Sequence, residues 1–185
     1  KWNKKWQTQI GIRADINHYL IKETDNFSKQ EFNYNSLNYS IGTSYTNKKH
    51  AWRVNISSGY RPPHPVESLA NGIHHASRRY EIGSLNLKPE YANQIDISYE
   101  FSNDHIGLLI NPYVSKINNY IFLAPEDSSI NNFQVYRYKQ NKSTWLYGGE
   151  ISFHYHPHFL HDLHLESNAS FLYAENQNKE PISFI

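Results

Sequence analysis

Through most of the chain, apolar and polar residues alternate one for one. In the segment 6–20, Ile10, Ile12, Ala14 and Ile16 share one parity, and Gln9, Gly11, Arg13 and Asp15 share the other. A period of two puts successive side chains on opposite faces of a strand. The same pattern returns in 36–45 (Leu37, Tyr39 and Ile41 against Asn38, Ser40 and Gly42) and in 51–60 (Trp52, Val54 and Ile56 against Arg53, Asn55 and Ser57). It continues in 91–101 (Ile95, Ile97 and Tyr99 against Gln94, Asp96 and Ser98), in 144–155 and in 163–173. Residues 106–123 form the longest candidate, with the alternation blurred by Leu109 and Pro112. The pattern predicts about seven strands and no helix. The fold class is all-β, an antiparallel up-and-down meander.

The predicted connections are 21–33, 46–50, 61–90, 102–105, 124–142 and 156–162, alternately long and short. In a meander that alternation gathers every long loop on one rim and every short turn on the other. The longest follows Tyr60-Arg61-Pro62-Pro63, with Pro65 close behind. Proline has no N–H for a ladder, so the strand ends there and an irregular loop is expected. Loops of about 30 residues are usually functional. At the other end, residues 181–185 read as a turn leading into a further strand.

Composition changes the picture in one respect. Only 38% of the 185 residues are hydrophobic, yet 15% are aromatic, with 15 tyrosines, and mean hydropathy is −0.74. Disordered chains are poor in aromatic and β-branched residues, so strands with one polar face explain the balance better. Strands of about ten residues tilted by about 45° cover the apolar band of an outer membrane, about 25 Å high. Trp6, Tyr19, Tyr45, Trp52, Tyr60, Phe101, Phe122, Trp145, Tyr155 and Tyr173 fall mostly near predicted strand ends, where an interfacial girdle belongs. The lipid bilayer is therefore an expected partner. Alternation alone leaves open a soluble sandwich or lipocalin-like barrel, whose apolar face turns inward, and a passive outer-membrane barrel or surface adhesin.

A net charge of +1 offers no electrostatic case for nucleic acid, and the lack of cysteine removes disulfides and thiolate metal sites. No run of about 18 apolar residues is present, so no transmembrane helix is predicted. The chain begins at Lys1 with no leader pattern and contains no methionine, so it is expected to be a piece of a longer protein.

With these residues laid out, the chain resembles the β-barrel of TonB-dependent outer-membrane receptors of the siderophore or metal type. Gln9-Ile10-Gly11-Ile12-Arg13-Ala14-Asp15 is similar to the family's Gly-x-Arg-x-Asp strand. Gly59-Tyr60-Arg61-Pro62-Pro63, followed by Glu67 and Leu69, resembles its Gly-aromatic-Arg-x-Pro…Glu-Leu signature. Gly72-Ile73-His74-His75, Tyr80-Glu81-Ile82-Gly83 and Leu87-Lys88-Pro89-Glu90 resemble the loop that follows, and Asn119-Tyr120-Ile121 and Gly149-Glu150 match further along. The resemblance implies a barrel of about 22 strands with a plug in its lumen. Residues 1–185 are then expected to be an internal part of that barrel domain, without the plug or the remaining strands. It implies energised uptake of a scarce nutrient such as a metal ion, an iron-siderophore or another metal chelate, in the outer membrane of a Gram-negative bacterium. The TonB complex would act through the plug region, and no cofactor is implied.

Candidate site residues are few. His74 and His75, with Arg78 and Arg79, lie on the long loop and are expected to meet the ligand. Adjacent histidines in an extended segment point opposite ways, so the pair is not a chelate by itself. His154, His156 and His158 alternate, with His161 and His164 following, a spacing that suits Zn²⁺ or Ni²⁺ in a strand. Pro157 interrupts that spacing, and the turn lies on the short-turn rim. His154 and His156 are accordingly the second metal candidates. Arg61, Arg78, Arg79 and Glu81 read first as ion pairs that order the loop, and second as a site for an anionic chelate. Glu67, Glu81 and Glu90 do not make a catalytic pair, and no nucleophile-base constellation is visible. No enzyme is expected.

Overall fold

The computed structural model describes residues 3–22, 28–157 and 163–182. Seven long strands form the expected antiparallel meander. They are β1 (Trp6–Ile21), β2 (Gln30–Asn47), β3 (His50–Arg61), β6 (Glu90–Ser102), β7 (Ile106–Ile130), β8 (Phe133–Tyr155) and β9 (Leu165–Asn176). Each pairs with the next in antiparallel register. The sheet is open, with β1 at one end of the strand order.

Two stretches depart from the sequence pattern. The predicted irregular loop 61–90 holds a short helix α1 (Pro65–Leu69) and a hairpin of β4 (Asn71–His74) and β5 (Arg79–Ile82). β5 docks in parallel on β8, through Tyr80↔Val135, Glu81↔Tyr136 and Ile82↔Arg137. It is the one parallel pairing among the described strands. The predicted loop 124–142 is the outer half of a continuous β7–β8 hairpin. It closes at Asn131 and Asn132, with φ of 51° and 64°, the pair of positive values that a two-residue type I′ turn requires. Its strands read as loop because Pro125-Glu126-Asp127-Ser128-Ser129 are polar on both parities. Between Pro125 and Ser129 a bulge sets Glu126, Asp127 and Ser128 against Val135 alone.

Pro112 sits mid-strand in β7. The β6–β7 ladder skips from Asp96↔Tyr113 to Tyr99↔Ile110 around it, because proline has no amide hydrogen to give. Across β8, two glycines receive rings. A Cβ on Gly148 would collide with the Tyr113 ring, and one on Gly149 would lie 2.7 Å from Phe171. The segment after β9 turns back, and Ile182 donates its N–H to the Ala174 carbonyl at 2.9 Å. Residues 183–185 of the expected turn lie outside the described residues.

Strand register aligns one unbroken apolar row across all seven strands: Ile10, Ile41, Ile56, Ile95, Val114, Tyr147 and Tyr173 are directly opposite one another in turn. Many residues of this face are solvent-exposed in the sheet, among them Ile12, Ile16 and Leu37 at 76%, 84% and 72%. Trp6 packs on Tyr45 at 4.8 Å and Trp52 on Tyr99 at 4.2 Å, an aromatic margin near the short turns. Tyr19 does not join an opposite margin. Its register partner is Phe32, and its parity is that of Arg13 and Asp15, so it belongs to the polar face.

Candidate functional site

The best-buried part of the described chain lies on the long-loop rim, where residues 61–90 fold into a cap against β7 and β8. Leu87, Ile121, Val135, Glu81 and Glu90 are all buried there. Polar residues hold it. Arg61 donates through Nε to Glu90 at 2.7 Å and through Nη1 to both Glu67 oxygens at 2.9 Å. The other Glu90 oxygen accepts the Ile121 N–H at 2.6 Å. Glu67 also accepts the His64 N–H at 2.7 Å, closing a capping box at the start of α1. The two carboxylates raise the Arg61 pKa further. One guanidinium thus ties the end of β3 to α1 and to the start of β6.

A second cluster fixes β5 on β8. Arg79 donates to Glu81 at 2.7 Å and lies 5.3 Å from the Tyr136 ring centre. The Tyr138 hydroxyl donates to Glu81 at 3.2 Å. Burial, with the Glu81 carboxylate next in effect, pushes Tyr138 up to about 12. Gln140 adds a staple: it donates to the carbonyls of Lys88 and Asn119 and accepts the Lys88 N–H. Asn119 bends β7 with φ of 58° and donates to the Pro89 carbonyl at 3.1 Å.

The motif residues therefore assemble the cap rather than an open pocket. Arg61, Glu67, Glu81 and Glu90 are internal ties. Pro62 follows the end of β3, and Gly59 faces Ala92 across the ladder. A Cβ on Gly83 would come within 2.6 Å of the Ser68 backbone, so a side chain has no room. Gly72 has no such constraint, because a methyl added there would meet nothing within 4 Å. Away from the cap, Arg13 donates to Asp15 at 3.0 Å, and Asn38 donates to the same carboxylate at 2.7 Å. Glu150 lies on the polar face between Asn111 and Ser170.

Of the expected ligand residues, Arg79 is engaged with Glu81. His74, His75 and Arg78 cluster at the β4–β5 tip, where His74 Nδ1 accepts the Ser77 N–H at 3.3 Å. His154 and His156 lie at the far rim, with the His156 and His164 rings 4.3 Å apart and His154 3.6 Å from Glu166. His158 and His161 lie outside the described residues. Among the described residues, no group of three or more His, Asp or Glu is placed to hold a metal ion. Sequence reasoning missed Tyr136, Tyr138 and Gln140, because 124–142 read as loop.

The apolar face also drifts against the register. On β1 it spans Trp6 to Leu20, but on β9 it spans Leu165 to Tyr173, whose row partners on β1 lie lower. The centre slips by about seven residues over six interstrand steps, and at ~3.3 Å per residue and ~4.8 Å per step this corresponds to strands crossing a level apolar band at about 40°. Strands of membrane barrels tilt by about 35–45°. Fold and belt define a segment of a transmembrane β-barrel.

The chain belongs to the TonB dependent receptor-like, beta-barrel family, whose model matches residues 1–184. Its fold is similar to that of the copper transporter OprC, with a TM-score of 0.77 at 12% identity over 97% of this chain and 28% of that one. The alcaligin outer membrane receptor FauA from Bordetella pertussis gives 0.63 at 13% identity, over 99% of this chain and 30% of that one. The FrpB iron transporter from Neisseria meningitidis (F5-1 variant) gives 0.66 at 14% identity, over 94% and 24%. This chain therefore spans roughly a quarter to a third of the length of those proteins.

Proposed function

We propose that the chain is a barrel segment of an outer-membrane, TonB-dependent receptor that takes up a scarce nutrient, such as a metal ion, an iron-siderophore or another metal chelate. The carrying observation is the pairing of a charge-free apolar belt with a folded cap on the long-loop rim. From the row of Ile10 down to the row of Trp6, across all seven strands, the apolar face holds no Asp, Glu, Lys or Arg. Such a face suits lipid, and a cap built on one rim suits ligand capture from outside. In this reading 1–185 is an internal part of the barrel domain, energised through a plug and the TonB complex. His74, His75 and Arg78 at the β4–β5 tip meet the ligand, while Arg79 orders the hairpin.

The test is growth of the producing strain under metal limitation, with and without the intact receptor gene and with the proton-motive force collapsed. Loss of growth in both cases is expected. Uptake that survives collapse of the gradient would favour a passive barrel and defeat the energised reading. Titrating the full receptor with Zn²⁺ separates the metal question: unchanged affinity and stoichiometry in His74→Ala/His75→Ala removes those two residues as ligands.

A further inference from the structure

We propose that the outer half of the β7–β8 hairpin carries, on its lipid-facing side, a binding strip for an anionic, phosphate-bearing lipid headgroup of the outer leaflet. The strip rests on the membrane reading given above. Going up β7 on the apolar face, Val114 is the last aliphatic of the continuous row, and Lys116 is the first charge. Its Nζ lies 5.3 Å from the ring centre of its register partner Trp145. A lysine on an interfacial tryptophan, one step past the apolar belt, marks the level at which headgroup charge lies.

Above Lys116 the same face offers the other parts of a headgroup site. Tyr120 and Phe122 lie nearly parallel, 6.4 Å apart with 10° between planes. With Asn141 they line a hollow of about 260 Å³. Beyond it, Lys139 and Arg137 share one carboxylate, that of Glu126, at 3.7 Å and 2.8 Å. The two cations thus converge on one carboxylate where the arm leaves the belt. The nearest opposing carboxylate on the Lys116 row is Glu175, two strands away, and it accepts from the Tyr147 hydroxyl at 3.4 Å. A cation at the belt's border, stacked rings with an amide, and a second cationic pair above are complementary to a phosphate-bearing headgroup whose chains lie along the belt. Basic residues near a charged lipid surface are worth about fivefold in binding each.

The intact receptor, reconstituted in phosphatidylcholine nanodiscs, is titrated with phosphatidylglycerol and read by native mass spectrometry, with inorganic phosphate in a parallel arm. Lys116→Gln and Lys139→Gln are each expected to weaken lipid retention about fivefold, and Lys142→Gln, on the opposite parity, to leave it unchanged. Wild-type retention in the Lys116→Gln/Lys139→Gln double variant would overturn the proposal. So would binding of inorganic phosphate as tight as that of the lipid, which would make this a free-anion site. If Lys116→Gln fails to fold, Lys139→Gln, outside the belt, decides alone. A receptor that stays folded and monomeric in plain buffer overturns the membrane reading with it, whereas a detergent-requiring receptor with unaltered retention overturns only the lipid strip.

Discussion

Arg61 and Glu90 stand opposite each other in the β3–β6 ladder, and the Arg61 Nε donates to the Glu90 carboxylate at 2.7 Å. Because the same guanidinium holds Glu67, its removal strands two carboxylates, of which Glu90 is the more buried. Breaking a buried pair costs about 3–5 kcal/mol, but the Arg61 side chain is 43% exposed, so water offsets part of the loss. Arg61→Ala should destabilise the cap by about 2 kcal/mol. Arg61→Lys should recover only part, since an ammonium lacks the planar fork. Hydrogen exchange on the purified receptor is the check: α1 and β5 should lose protection while β1 and β2 keep theirs. Unchanged protection in Arg61→Ala would mean that this tie does not hold the cap.

Gly83 and Gly72 make a matched pair in the same loop. Gly83→Ala forces a methyl into the Ser68–Leu69 backbone, whereas Gly72→Ala meets open space. Overpacking costs about 1–3 kcal/mol, and an unconstrained surface change stays within about 0.5 kcal/mol. Protease susceptibility of 62–90 should therefore rise in the first variant and not in the second. Equal behaviour of the two would mean that α1 does not pack against the segment after β5.

The cap and arm should respond to pH at both extremes, for opposite reasons. Hydrogen bonding from Arg137 holds Glu126 below its ordinary value. A depressed carboxylate contributes stability above its unfolded pKa and loses it as pH falls through the folded one. The arm should loosen in acid, and Arg137→Gln should abolish that limb. Tyr138 is raised from 10.0 to about 12. Its neutral form is favoured in the folded state, so its contribution is intact below pH 10 and lost as pH rises through about 12. Tyr138→Phe should flatten the alkaline limb. Phenolate absorbance together with amide exchange across 126–140 measures both, and a pH-independent arm would sink both assignments.

The belt was legible in the sequence and the cap was not, and the reason is the solvent each meets. Ile10, Ile41, Ile56 and Ile95 alternate with Gln, Gly, Asn and Asp because one face meets lipid and the other does not, so period two survives intact. Past Lys116 one face of β7 and β8 carries the cap and the other has left the apolar belt, and Glu126 to Ser129 carry no such contrast. Only Asn131-Asn132 marked the hairpin there, a turn signal weaker than Asn-Gly. The β4–β5 hairpin was hidden for a different reason. Its four-residue strands are held by ion pairs, Arg79 to Glu81 above all, and by docking on a distant strand, which no local pattern reports. The motif residues Arg61, Glu67 and Glu90 lie in the cap, but their spacing of 6 and 29 positions from Arg61 gave no sign that the Arg61 guanidinium holds both carboxylates.

The β7–β8 arm depends on its closing turn, and that turn can be tuned in both directions. Asn131 and Asn132 both occupy positive φ, where asparagine is tolerated and glycine is better at the second position. Asn132→Gly should stabilise the arm by about 0.5 kcal/mol, and Asn132→Val should destabilise it by about 1–2 kcal/mol, since a β-branched side chain is crowded in the left-handed region. Neither change touches the belt, so both variants should reach the membrane equally well. What should differ is nicking of the arm by added protease, slower for glycine and faster for valine. Because β5 docks on the outer part of β8, a frayed arm also releases the hairpin that presents His74, His75 and Arg78. The valine variant should then bind its ligand more weakly than wild type, with the glycine variant at or above it. Equal ligand affinity across the three, with the expected order of nicking, would separate the arm from capture and leave it a purely structural element.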